Sequence, residues 1–215
     1  EAILNHERTL NGLPETSGDT QVFLLPLKNG DAGGIGMVRR AFYKKPTGEI
    51  VTVLVKMSRG EEFQDVMFHR EVAALKAVHD FKGDKSHLMD VRPETIRDAE
   101  GREYVILESA GDLNAGHFSF TPADGAQIIF DVMDGVQTIH DNGCIHRDLK
   151  LANVMVDSQT ARAKVIDFGL LAVRTDVPVS ETLKPIRENN LEETKNNTIA
   201  GTPSNYNFSV IGEGL

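Results

Sequence analysis

Asp148, Lys150 and Asn153 lie within one short stretch, and Asp167 follows fourteen residues after Asn153. A carboxylate, an ammonium, a carboxamide and a second carboxylate so placed can accept a proton, screen negative charge and offer hard oxygens to a cation. The donor set suits magnesium rather than zinc, because the seven histidines are scattered and Cys144 has no cysteine neighbour. Earlier in the chain Lys56 ends an otherwise apolar run of Val51, Val53, Leu54 and Val55, and Glu71 sits near the centre of an apolar helix face. Burying a carboxylate there costs several kcal/mol unless it is paired, which makes Lys56 a candidate partner. The competing readings are a lysine snorkelling at a strand edge and an exposed Glu71 on a loosely packed helix. Gly33, Gly34 and Gly36 cluster where a turn is expected, so the backbone there can approach an anion with no side chain in the way. Turns also collect glycine for steric reasons alone.

These residues need a scaffold, and the pattern supplies one. Apolar, β-branched runs at Val22 to Leu27, Val38 to Tyr43 and Ile50 to Met57, separated by turn chemistry, predict three antiparallel strands. Ser58 with Glu61 is a capping-box signature opening a helix to about His79, with Phe63, Met67, Ala74 and Val78 on its apolar face. Strands are expected over His87 to Ile96 and Tyr104 to Leu107, followed by a connector at Glu108 to Gly111. Thr121, Pro122 and Asp124 announce a second helix whose apolar face would be Ile129, Val132, Met133, Val136 and His140, stopped by Asn142-Gly143. Asn153 to Asp157 and Ala163 to Phe168 predict a hairpin, and the polar, aperiodic stretch from Arg174 to Asn197 predicts a long mobile loop.

The segment Cys144-Ile145-His146-Arg147-Asp148-Leu149-Lys150-Leu151-Ala152-Asn153, with Val165-Ile166-Asp167-Phe168-Gly169 after it, resembles the catalytic loop HRDLKxxN and the DFG motif of eukaryotic-type protein kinases. The likeness spans roughly Gln21 to Pro203, and Lys150 in Asp-Leu-Lys is closer to serine/threonine than to tyrosine kinases. It implies an α+β bilobal kinase-like fold, with a five-stranded antiparallel sheet plus one helix above and a reduced, mainly helical lobe below. The implied boundaries are an extension over 1–19, an N-lobe over 20–110 and a shortened C-lobe over 111–215. Mg·ATP would bind in the cleft between the lobes. By the same resemblance Lys56 binds the α and β phosphates, Glu71 holds Lys56, Asp148 orients the attacking hydroxyl and Lys150 steadies the γ-phosphoryl group. Asn153 and Asp167 would hold Mg²⁺, while Gly33, Gly34, Gly36, Val38, Leu54, Leu107 and the backbones of Glu108 and Ala110 would line the nucleotide. His146 and Phe168 are assigned to packing, in a stack that includes Leu75. The implied activity is γ-phosphoryl transfer to serine or threonine of a protein substrate, with a noncatalytic pseudokinase-like scaffold and a small-molecule phosphotransferase as the rivals.

The chain departs from the family pattern in places. Asp31 stands at the first position of the glycine motif, and Leu54 replaces the small residue usual two before the lysine. Ala200-Gly201-Thr202-Pro203 resembles the substrate-receiving segment, with Thr202 bonding Asp148 and Lys150, but no Ala-Pro-Glu follows before Leu215. The lower lobe is expected to be cut off or naturally reduced, as in secreted bacterial effector kinases, and a regulatory or host protein, a missing segment or repacking of Tyr206 to Leu215 would cover it. Arg147 would receive a phosphate at Thr175, Ser180, Thr194 or Thr198, and the alternative of equal weight is that hydroxyl residues are simply common in solvated loops.

Composition narrows the setting. The 215 residues carry 23 Lys+Arg against 32 Asp+Glu, a net charge of −9, the wrong sign for a protein built to neutralise nucleic acid or anionic lipid. One cysteine cannot form an internal disulfide, which suits a reducing compartment. The longest apolar runs are too short to span a bilayer, so the expected location is cytoplasmic, or a host cytoplasm after secretion by a bacterium. The first residue is Glu rather than Met, which predicts a trimmed or processed chain.

Overall fold

Runs of β-branched residues on an alternating pattern build the first sheet. The strands are β1 (Gln21–Leu24), β2 (Met37–Lys44), β3 (Ile50–Met57), β4 (Val91–Arg97) and β5 (Glu103–Leu107), with α1 (Glu62–His79) between β3 and β4. The computed structural model describes residues 21–24, 37–44, 47–57, 62–97, 103–107, 110–111, 113–117, 119–176 and 178–195. The expected extension, the glycine cluster, the Ser58/Glu61 cap, Glu108 and everything after Lys195 lie outside the described residues. Sheet order is β1-β2-β3-β5-β4, every pair antiparallel.

Period-2 alternation separates the two faces of this sheet. Ala41, Tyr43, Val53, Val55, Met57, Tyr104 and Ile106 form one buried cluster. The register sets Val38 opposite Lys56, Lys56 opposite Val105, and Leu54 opposite Leu107, so these five side chains share the other face. The β4–β5 register shifts between Val91 and Thr95, the interval that contains Pro93, which has no N–H to give the ladder.

The described residues fall into two compact units, one from the segments Glu1–His79 and Met89–Ala110, the other from Asp80–Leu88 and Gly111–Leu215. Residues 80–88 therefore join the second unit rather than the first. The predicted strand from His87 starts only at Val91, because Leu88 instead bridges Val165 and the His87 carbonyl accepts from Val165 N–H.

The second unit is built on α2 (Pro122–Asp141), with β6 (Leu113–Asn114), β7 (Cys144–Ile145), β8 (Val154–Val156), β9 (Ala163–Val165), β10 (Ala172–Val173) and α3 (Lys184–Lys195). Strands β6, β8 and β9 make one small sheet, and β7 and β10 another. Thr121 caps α2 in a reciprocal capping box with Asp124, as its sequence predicts. The apolar face expected for α2 is buried only in part: Val132 packs against the buried cluster of Ala115, Ile128, Val154, Val156 and Ala163, and Val136 is half-buried. Ile128, Asp131, Gly135, Thr138 and Ile139 face inward, whereas Ile129, Phe130 and Met133 are 61%, 62% and 59% exposed. Polar anchoring overrides the hydrophobic period. Asp131 Oδ2 accepts from Ala163 N–H at 2.8 Å and Arg162 Nε–H at 2.9 Å, Thr138 donates to the Asp84 carbonyl at 2.6 Å, and a Cβ on Gly135 would meet the His87 carbonyl at 2.8 Å.

The loop expected from Arg174 to Asn197 contains α3. Pro185 sits in its first turn, where a missing N–H costs nothing, and Leu183 and Ile186 are buried beneath it. Among the described residues no helix is long and apolar enough to cross a membrane.

Candidate active site

In the first unit the side chains of Lys56, at the end of β3, and Glu71, on α1, form an ion pair at 13% and 6% exposure. Helical spacing puts Glu71 in line with buried Phe68, Val72, Leu75 and Val78, so the carboxylate has been taken out of water and the lysine compensates it. This settles the reading of Glu71 against an exposed residue on a loose helix. Val38, Leu54 and Leu107 lie on the sheet face that carries Lys56, and Ala110 is buried just beyond.

In the second unit the chain leaves β7 and reaches Arg147 with φ 67°, a left-handed conformation that non-glycine residues adopt only where surrounding contacts enforce it. The Arg147 guanidinium supplies such a contact, donating through Nε to the Leu170 carbonyl at 2.6 Å. Asp148 is buried, and its Oδ2 accepts from Lys150 Nζ at 2.8 Å and Asn153 Nδ2 at 3.1 Å. Asn153 Nδ2 also donates to the Asp148 carbonyl at 2.8 Å, which leaves the amide oxygen Oδ1 as the acceptor of that side chain.

The chain segment of Asp167 is tied to the same loop. Ile166 N–H donates to the Asn153 carbonyl at 2.9 Å, and the Ile166 carbonyl accepts from His146 Nε2 at 3.0 Å. Both main-chain groups before Asp167 are therefore held, and Asp167 itself sits at φ 64° with Oδ1 accepting from Gly169 N–H at 3.4 Å. Burial holds the His146 imidazole below its usual range, against the opposing pull of the Ile166 carbonyl and the carboxylates of Asp167 and Asp148. A neutral ring with Nε2 protonated leaves Nδ1 to accept from Asp148 N–H at 3.3 Å. The ring also lies 5.4 Å from that of Phe168. His146, expected only to pack, thus also positions both carboxylates. A histidine two residues before a candidate base was the available signal. Leu75 is buried in the first unit.

The donor chemistry fits magnesium. Asn153 Oδ1 and the Asp167 carboxylate are hard oxygens, and magnesium takes few protein ligands when it shares phosphates. Among the described residues no group of three or more His, Cys, Asp or Glu could hold a metal.

The profile of the protein kinase domain matches residues 31–183, most of the chain. The chain belongs to the protein kinase domain family. This kinase-family chain is similar to "Probable serine/threonine-protein kinase PknB" of Corynebacterium glutamicum, 32% identical over 131 residues, covering 58% of this chain and 20% of that protein. It is similar to "Cell division control protein 2 homolog 3" of Trypanosoma brucei brucei, 31% identical over 144 residues, covering 64% and 43%. "Cyclin-dependent kinase G-2" of Oryza sativa subsp. japonica is 28% identical over 144 residues, covering 64% and 19%. The chain spans less than half the length of these curated relatives. With the family shown, the five-stranded antiparallel sheet with one helix and the second unit built on α2 are a kinase-like α+β fold.

Proposed function

We propose that the chain is an ATP-dependent protein kinase that transfers the γ-phosphoryl group to a serine or threonine hydroxyl of a protein. The observation that carries this reading is the Asp148 carboxylate held by Lys150 and Asn153, with the chain before Asp167 tied to the same loop through Ile166. Asp148 accepts the hydroxyl proton as the substrate oxygen bonds to the γ-phosphorus and the bond to the β–γ bridging oxygen breaks, leaving ADP. Lys150 faces the charge on the transferred group, and Lys56, kept in place by Glu71, takes the α and β phosphates. Asn153 and Asp167 would hold magnesium, which when bound would neutralise charge on the phosphate oxygens. Val38, Leu54, Leu107 and Ala110 would line the nucleotide, with Gly33, Gly34, Gly36 and Glu108, outside the described residues, joining them by the family resemblance. Lys150 after Asp148-Leu149 and the names of the relatives support hydroxyl-bearing Ser/Thr substrates.

The test is incubation of wild type and Asp148→Ala with radiolabelled ATP, magnesium and a protein mixture, followed by phosphoamino-acid analysis. Loss of a positioned base is expected to slow transfer by about 10² to 10⁴. Wild-type labelling of protein no greater than the mutant's would sink the reading and leave the nucleotide-binding scaffold. Label found only in small molecules would point to the phosphotransferase rival.

A further inference from the structure

Helix α3 is weak by composition. Its twelve residues include Pro185, Asn189 and Asn190, and isolated helices of that length are marginal even in favourable sequences. It persists through what it docks on, and that is the strand just beyond Asp167-Phe168-Gly169. One edge of β10 pairs with β7, Ala172 opposite Ile145 and Val173 opposite Cys144, and Arg174 N–H continues to the Gly143 carbonyl at 2.8 Å. The other edge meets a side chain. Val173 N–H donates to Asn190 Oδ1 at 3.0 Å, and Asn190 Nδ2 donates to the Leu171 carbonyl at 3.4 Å. One carboxamide thus occupies the place of a third strand. On either side of these bonds Arg147 holds the Leu170 carbonyl and Arg187, from α3, donates to the Thr175 carbonyl at 2.9 Å. The same device recurs at Asn142, which accepts from Lys82 N–H at 2.9 Å and donates to the Lys82 carbonyl at 3.0 Å, fastening residues 80–88 to the end of α2.

We propose that α3 is a built-in clamp on the segment following Asp167, with Asn190 as its positioning residue. Docking of the helix fixes the path of the chain from Leu170 to Thr175, and through that path the aim of the Asp167 carboxylate. The proposal rests on the reading of Asp167 as a magnesium ligand. A carboxamide supplies the acceptor and the donor on two separate atoms of one planar group. Asn190→Asp sets a carboxylate oxygen against the Leu171 carbonyl, a repulsion that drives the side chain off the strand edge and takes the acceptor away from Val173 N–H, whereas Asn190→Gln retains both groups on a longer arm.

Two readouts on the full chain test the clamp. In hydrogen–deuterium exchange the Val173 amide is expected to exchange about tenfold faster in Asn190→Asp, the order of one lost hydrogen bond, with partial protection restored in Asn190→Gln. In phosphoryl transfer Asn190→Asp is expected to lower kcat and raise the magnesium concentration for half-maximal rate, each by about tenfold, with the KM for ATP at saturating magnesium changed less than about twofold. A merely structural role would lower kcat through the folded fraction and leave the magnesium requirement unmoved. Equal Val173 exchange in wild type and Asn190→Asp overturns the clamp, as does an unchanged magnesium requirement in a variant whose Val173 amide has been released. Absence of transfer by wild type condemns the kinase reading itself, whereas the exchange measurement needs no turnover and still judges the docking of α3.

Discussion

The two units hold their reactive side chains by different physics. In the first, Lys56 is aimed by one charge, the Glu71 carboxylate. In the second, Asp148 is held by the side chains of Lys150 and Asn153, and the chain around Asp167 by bonds to main chain: the His146 ring and the Asn153 carbonyl on Ile166 before it, Arg147 and Asn190 on the residues after it. A buried ion pair loses much at once when either partner is removed, because the survivor loses the opposite charge that offset its burial. A network of several hydrogen bonds, most of them to main chain, fails in steps, each worth less.

The sharpest way to break this contrast is in the first unit. Lys56→Met removes the ammonium paired with buried Glu71 and is expected to cost about 3 to 5 kcal/mol of stability in urea denaturation. Lys56→Met with Glu71→Leu is expected to regain most of that loss, since apolar replacements of a buried pair are often neutral, while phosphoryl transfer stays abolished in both. A single-variant cost under about 1 kcal/mol would mean that the pair behaves as a solvated one and that the contrast is wrong.

His146 offers the matching test in the second unit. His146→Phe keeps a ring beside Phe168 but loses the bonds to Ile166 and Asp148, an expected cost of about 1 to 3 kcal/mol at pH 8. The pH dependence has a definite sign. Because burial lowers the His146 pKa in the folded protein, the unfolded chain binds the proton more readily. The histidine's stabilising contribution is complete above about pH 6.5, the usual imidazole value, and is lost as pH falls toward the folded-state value. The stability gap between wild type and His146→Phe should therefore narrow between pH 7 and pH 5. A constant gap would show that the ring is not held neutral.

A smaller step is expected at Asn142. Asn142→Ala removes both bonds to Lys82 and the bond to the Thr138 carbonyl at 2.8 Å, at a partly exposed site where water can replace them, so a loss of about 1 kcal/mol is expected by the same denaturation. No change at all would show that carboxamide pairing with main chain contributes nothing in this fold, and would weaken the case for Asn190.

How much of this was legible in the sequence follows the same division. Strands β2 and β3 announce themselves by β-branched alternation, and the start of α2 by local cap chemistry, since both signals lie within a few residues. The residues of the catalytic loop are legible by type and spacing, and the Lys56–Glu71 pair by the cost of burying a carboxylate. The grip of His146 on Ile166 is not, because a carbonyl acceptor looks the same at every residue. Helix α3 lacks an apolar period, since its docking rests on buried Leu183 and Ile186 and on one carboxamide rather than on a stripe. The buried face of α2 was misjudged for a related reason. Asp131, Gly135 and Thr138 earn their places through partners at Ala163, His87 and Asp84, all remote in sequence.

That misjudged face yields the smallest expected effect. Hydrophobic periodicity assigns Ile129 and Met133 to the core, whereas they stand 61% and 59% exposed. An apolar side chain that remains wetted in the folded state contributes almost nothing by transfer, so Ile129→Gln and Met133→Gln should each shift stability by no more than about 0.5 kcal/mol. Glutamine is a good helix former and adds no propensity penalty to confuse the measurement. A loss of about 2 kcal/mol or more at either position, the size of a fully buried side chain, would restore the periodic reading of α2 and show that this face is covered in solution. Near-zero values would confirm that polar anchors, rather than the apolar stripe, choose which way the longest helix of the second unit faces.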